Sequence, residues 1–223
     1  MECNKKIKIS CMGDSITFGL CASDMEHSYP SVLQLLLGND YSVSNFGISG
    51  ATVINDYEWT ENRYSPYTKS KQYKQAMQSK PDKVVLMLGM NDANPTHHFN
   101  KENGGNISEY YIKLYQNTLI EIIDCLKKLP SNPNIYLIKT TEMKRKVEDG
   151  FDKDYIESFQ ANIIKIRKIQ EKVAQEKDVY LIDANVHMQD NSYYHDGCHL
   201  TDKGYKKLAE IVYAESLKVK DNF

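Results

Sequence analysis

Apolar positions along the chain follow two alternating rhythms. Five short, dense runs read as β-strands: "IKISCM" (7–12), "YSVSNFG" (41–47), "KVVLMLG" (83–89), "NIYLIK" (134–139) and "DVYLID" (178–183). Between and after them lie segments with the periodicity of helices: "YPSVLQLLLG" (29–38), "KSKQYKQAMQS" (69–79), 107–129, 154–176 and 200–217. In 107–129 apolar side chains recur at i, i+3 and i+4, and the pattern stops before Pro130. The run 83–89 is almost continuously apolar, which predicts a central strand covered on both faces. Strand and helix alternate without an internal repeat or linker. That pattern predicts one three-layer α/β/α domain over residues 1–223, with a mostly parallel sheet.

In such a sheet, ligands bind beyond the carboxyl ends of the strands, so candidate chemistry is sought there. The first strand runs into "MGDSITFG" (12–19), where Ser15 stands at a strand-to-helix turn beside Asp14. A hydroxyl there projects into the crevice, although Ser and Asp also serve as ordinary helix N-caps. The second strand runs into "NFGISGAT" (45–52), whose Gly47 and Gly50 let the backbone approach a ligand or simply make a turn. The third runs into "LGMNDAN" (88–94), which puts the Asn91 amide at the same edge. Late in the chain, "YYHDGCHLTDKG" (193–204) brings His195, Asp196, Cys198 and His199 together. Alone, that stretch is compatible with a metal site, a cysteine nucleophile, half of a serine triad or a polar turn.

Taken together and in this order, the four blocks closely resemble those of the SGNH hydrolases, the GDSL-type esterases and lipases, with closest similarity to bacterial sialate and xylan O-acetylesterase-like members. The resemblance spans nearly the whole chain. It implies a flavodoxin-like five-stranded parallel sheet of order 2-1-3-4-5. It also implies a catalytic triad of Ser15, Asp196 and His199, with an oxyanion hole made by the Ser15 and Gly50 backbone N–H groups and the Asn91 side chain. Serine needs a base within hydrogen-bond reach, and the DxxH offset of Asp196 and His199 can place both side chains on one side of a helical turn. The activity implied is hydrolysis of a carboxylic ester through an acyl-enzyme, with no cofactor and no metal.

The remaining features narrow the partner more than the reaction. Net charge is −2, which gives no reason to expect nucleic acid or an anionic membrane, and the longest apolar run is far below spanning length. Five widely spaced cysteines without CxxC argue against a disulfide framework or zinc knuckle. Reduced thiols and the lack of an apolar leader before the first strand predict a cytoplasmic protein. Two long loops, 51–68 and 93–106, carry tyrosines, Trp59 and the pair His97–His98. Candidate substrate contacts are Asp14, Trp59, Tyr67, His97 and His195, although Asp14, like Asp92, better fits a turn-fixing role and His97 a plain surface loop. Cys198 is expected to be buried packing. Polar, tyrosine-rich loops suit an O-acetylated carbohydrate better than a long acyl chain. The alternatives are a broad short-chain esterase or thioesterase, and a nucleotide- or phosphate-binding module on the same fold.

Overall fold

The computed structural model describes residues 5–56 and 65–218. Its main sheet has five parallel strands: β1 (Ile7–Gly13), β2 (Tyr41–Gly47), β3 (Lys83–Met87), β4 (Asn134–Ile138) and β5 (Tyr180–Ile182). Their spatial order is β2-β1-β3-β4-β5, the doubly wound order implied by the sequence resemblance. Five longer helices cover the sheet: α1 (Tyr29–Leu37), α2 (Lys71–Gln78), α3 (Glu109–Lys127), α4 (Lys153–Glu176) and α5 (Asp202–Lys218). Helices α1 and α5 pack on each other, as do α3 and α4. Right-handed crossovers put these two pairs on opposite faces, because the chain winds one way from β1 to β2 and the other way from β3 to β5.

Local chemistry sets the helix starts close to the predicted ones. Ser70, Ser108 and Asp152 each accept the N–H three residues on, capping α2, α3 and α4. The buried stripe of α3 is Tyr115, Leu119, Ile122, Ile123 and Leu126, which is the periodicity read from the sequence. Strand β3 is buried at every position, including Lys83, whose Nζ donates to the Ser216 carbonyl at 3.2 Å.

Two of the boundary differences have a visible cause. Strand β3 stops at Met87 rather than Gly89, because the Leu88 carbonyl is taken by buried side chains: Gln170 Nε2 at 2.8 Å and Thr140 Oγ1 at 3.2 Å. Helix α5 starts at Asp202 rather than 200, because Tyr194 and Leu200 form an antiparallel bridge that keeps 195–199 as a loop. Asp196 and His199 therefore sit on that loop and not on a helical turn.

The register of the sheet is what assembles the functional end. Gly13 is opposite Gly47 on one side and Met87 on the other, so three strands end at one level. Ser15, Gly50 and Asn91 follow those ends within a few residues. Close approach is enforced at Gly47: a Cβ there would lie 2.2 Å from the Phe18 backbone nitrogen. The short helical turn Ser15–Phe18 thus rests directly on the β2 backbone.

Candidate active site

Asp14, not Ser15, is the N-cap of that turn, its Oδ1 accepting the Ile16 N–H at 3.0 Å. Ser15 is left as the first residue of the turn, 5% exposed, with its hydroxyl free to meet another group. Its Oγ lies 3.1 Å from His199 Nε2. On the other side of the ring, His199 Nδ1 lies 2.9 Å from Asp196 Oδ2. An ionised carboxylate only accepts, so Nδ1 carries the proton and the neutral ring leaves Nε2 as acceptor for the serine hydroxyl.

Asp196 is aimed by its own loop. Its Oδ1 accepts the backbone N–H groups of Cys198 at 3.0 Å and His199 at 2.7 Å, leaving Oδ2 for the imidazole. Burial works against the charged carboxylate, but the hydrogen bonds from the His199 ring and backbone outweigh it and hold Asp196 well below the usual range. The loop is closed below by His195 N–H to His199 carbonyl at 2.8 Å and Thr201 N–H to Tyr193 carbonyl at 2.9 Å.

Facing Ser15 across the sheet edge are two further groups. Asn91 donates one amide N–H to the Ala51 carbonyl at 2.9 Å, which fixes its side chain and leaves a second N–H on the same nitrogen. The backbone N–H groups of Ser15 and Gly50 enter none of the hydrogen bonds found among the described residues. These two N–H groups, on a buried and a half-buried residue, are left to receive an acceptor from a bound molecule. Ser15, Gly50, Asn91 and His199 all line one cleft of about 350 Å³, with Leu20, Met90 and Phe159 as apolar wall.

The candidate substrate contacts are not gathered there. Asp14 is buried beneath the turn as its cap and does not reach the cleft. Tyr67 is fully buried, and its hydroxyl donates to the Phe46 carbonyl at 2.8 Å, so it is part of the fold. His97 is also fully buried, with its ring 3.8 Å from that of Phe99; burial, then the neighbouring His98, pushes it down to about 3, so it stays neutral. The loop that carries it is packed by buried amides: Asn100 donates to the Asp92 and Asn94 carbonyls, and Asn162 to those of Ala93 and Gly105. His195 is exposed and lines an adjoining depression with Lys146 and Tyr194, outside the Ser15 cleft. Trp59 lies outside the described residues. Cys198 is 6% exposed, and burial pushes its thiol up to about 12, as expected of packing rather than of a nucleophile.

Arg145 and Gln170 also stand at the site, although little in the sequence marks them. Arg145, in the segment after β4, lines the cleft and contacts Asp196; the only signal was the basic triplet "KRK" just beyond a strand end. Gln170 lies under the site and ties Leu88, Tyr115 and Thr140 together. Asp92 accepts the Val53 and Ile54 N–H groups at 3.0 and 2.9 Å, anchoring the segment after Gly50. No group of three or more His, Cys, Asp or Glu among the described residues is arranged to hold a metal ion.

Comparison with known proteins gives the family and the fold. Residues 11–207 match the model of the GDSL-like lipase/acylhydrolase family. The chain belongs to that family. It is 31% identical over 218 residues to an acetylxylan esterase from Xylanibacter ruminicola, a match covering 93% of this chain and 42% of that protein. The chain therefore spans about two-fifths of the length of that relative. Among solved structures it superposes on a carbohydrate acetylesterase from Sinorhizobium meliloti with a TM-score of 0.72 at 15% identity, covering 96% of this chain and 100% of that one. An acetylxylan esterase from Geobacillus stearothermophilus superposes with a TM-score of 0.66 at 19% identity, covering 96% of each chain. An aryl esterase from M. smegmatis superposes with a TM-score of 0.73 at 17% identity, covering 96% and 100%. At these identities the structural likenesses speak for the fold. No helix among the described residues is long and apolar enough to cross a membrane.

Proposed function

We propose that this GDSL-family chain is a serine esterase that removes acetyl groups from an O-acetylated carbohydrate. The observation that carries the reading is the continuous line Asp196 Oδ2, His199 Nδ1, His199 Nε2, Ser15 Oγ, with contacts of 2.9 and 3.1 Å, ending at two idle backbone N–H groups.

In this mechanism His199 takes the Ser15 proton as the hydroxyl attacks the ester carbonyl, and Asp196 stabilises the imidazolium that results. The carbonyl oxygen becomes an oxyanion received by the Ser15 and Gly50 N–H groups and the Asn91 amide. One such donor is worth about 3–4 kcal/mol of transition-state stabilisation. His199 then returns the proton to the leaving alcohol. Water attacks the acetyl-enzyme by the same route, releasing acetate and restoring Ser15.

Support for the acyl group and the alcohol comes from the cleft and from one relative. The short apolar wall formed by Leu20, Met90 and Phe159 suits a small acyl group, and Ser49, Asn91 and Asn94 offer polar partners to a hydroxylated alcohol. The 31%-identical relative acts, by its name, on acetylxylan. A broader short-chain or aryl esterase is the second reading, favoured by the same apolar wall. Rates on p-nitrophenyl esters of increasing acyl length, on an acyl-CoA and on acetylated xylo-oligosaccharides separate the readings. The expected outcome is a fall in kcat/KM from acetyl to octanoyl, with acetylated xylo-oligosaccharides the best substrates. Preference for long acyl chains would overturn the carbohydrate assignment, and equal rates on simple acetates would favour the broad esterase.

A further inference from the structure

Asp196 has a third neighbour besides His199 and its own loop. The Arg145 guanidinium donates through Nη2 to Asp196 Oδ2 at 3.3 Å and through Nε to the Asp196 carbonyl at 3.2 Å. Its third nitrogen, Nη1, donates to the Tyr155 hydroxyl on α4 at 2.8 Å, and the guanidinium carbon stands 4.6 Å from the centre of the Phe151 ring. The Arg145 side chain is only 13% exposed, against 34% for that of Asp196. The backbone joins in: Lys144 N–H donates to the Gly197 carbonyl at 2.6 Å. At Gly197, where φ is +75°, a Cβ would lie 2.6 Å from the Arg145 backbone nitrogen, so only glycine lets the two segments meet.

We propose that Arg145 is a positioning residue for the reaction, holding the Asp196 carboxylate toward His199 and opposing the protonated state of the imidazole with its own charge. The inference rests on the reading of Ser15, Asp196 and His199 given above. An exposed ion pair would be worth little. Here three of the fork's nitrogens are engaged at once in a half-enclosed site, and the fork touches the same oxygen that His199 uses, which is where a planar guanidinium differs from an ammonium. The other ionisable groups around the pair are the buried Asp14 carboxyl beneath the nucleophile turn, the Cys21 and Cys198 thiols, and Lys144, Lys146, Asp149 and His195, which line the adjoining depression with Asp196. Only Arg145 brings a permanent positive charge into direct contact with the carboxylate among the described residues.

The test is the pH dependence of kcat/KM on p-nitrophenyl acetate for the unsubstituted protein, Arg145→Met and Arg145→Lys, with thermal melts of each. Loss of the guanidinium should move the acidic limb of Arg145→Met upward by about one pH unit. It should also lower kcat about tenfold, with KM little changed. Arg145→Lys should keep the limb near its original position while kcat stays reduced, because an ammonium supplies charge without the fork. An unmoved limb in a folded Arg145→Met protein, or identical profiles for the two variants, overturns the proposal. If Arg145→Met does not fold, Tyr155→Phe removes one support and keeps the charge: a lower kcat with an unmoved limb supports the proposal, and an unchanged kcat overturns it. Labelling by a fluorophosphonate separates the two levels. Ser15 labelled with an unmoved limb sinks the role of Arg145 alone, whereas no label on the unsubstituted protein sinks the reading of the site.

Discussion

On one side of the cleft, Ser15, Gly50 and Asn91 ride on the ends of three adjacent strands whose register puts Gly13, Gly47 and Met87 at one level. On the other side, Asp196 and His199 stand on an irregular loop held by one bridge, its own Asx-type bonds and Arg145. The first half is placed by the sheet, and most of what fixes it is backbone. The second half is placed by bonds within its own loop, to which Lys144 and Arg145 add support from far away in sequence. A site built this way can keep Ser15, Gly50 and Asn91 fixed while His199 is adjusted through few residues.

The largest effect should come from the strand-borne half. Ser15→Ala should reduce kcat by about 10⁴-fold or more while leaving the thermal midpoint nearly unchanged, since a single small hydroxyl is lost. Full hydrolysis by that variant would remove Ser15 from the mechanism. Next come the two glycines on which the halves rest. Gly47→Ala pushes a Cβ against the Phe18 and Thr17 backbone at 2.2 and 2.6 Å inside the sheet, so both the melt and the activity should fall. Gly197→Ala strains a loop backbone at φ +75° and displaces Arg145. It should lower kcat about 100-fold, as a displacement of about 1 Å can, with a smaller loss of melting temperature. Equal melting losses in the two variants would contradict the distinction between the halves.

Legibility in the sequence divides along the same line. The five strands, the helices and the first three site blocks follow periodicity and strand ends, and these are local features that a single sequence carries. Asp196 and His199 were recognisable as a motif, yet their placement on a bridged loop depends on Tyr194 pairing with Leu200, which periodicity does not report. Tyr67 and His97 are hard to place from sequence, because polar aromatic residues in long loops read as exposed. Both are buried, Tyr67 through one carbonyl bond and His97 through ring packing against Phe99. Arg145 and Gln170 were missed because their partners are 51 and 82 residues away.

The smallest expected effect concerns the carboxyls beneath the nucleophile turn. Burial pushes Asp14 up to about 6 and Asp92 up to about 7, each against the hydrogen bonds it accepts. From the ordinary carboxylate range up to those values, the folded state holds protons that the unfolded chain has released. Their contribution to stability is therefore greatest at low pH and is lost as pH rises through the folded values. The thermal midpoint should fall between about pH 4 and about pH 7, and Asp14→Asn should flatten part of that fall while its amide oxygen keeps the Ile16 cap. The same slope in the variant would show that Asp14 is ionised throughout.

The central claim is that the Ser15 hydroxyl is the nucleophile activated by His199. Its most direct test is intact-mass and peptide mass spectrometry after treatment with a fluorophosphonate, run alongside His199→Ala. One adduct per chain is expected, on the peptide carrying Ser15, formed at the same pace as ester hydrolysis is lost and strongly slowed in His199→Ala. Esterase activity that persists with Ser15 unmodified, or an adduct on any other residue accompanying the loss of activity, would contradict it.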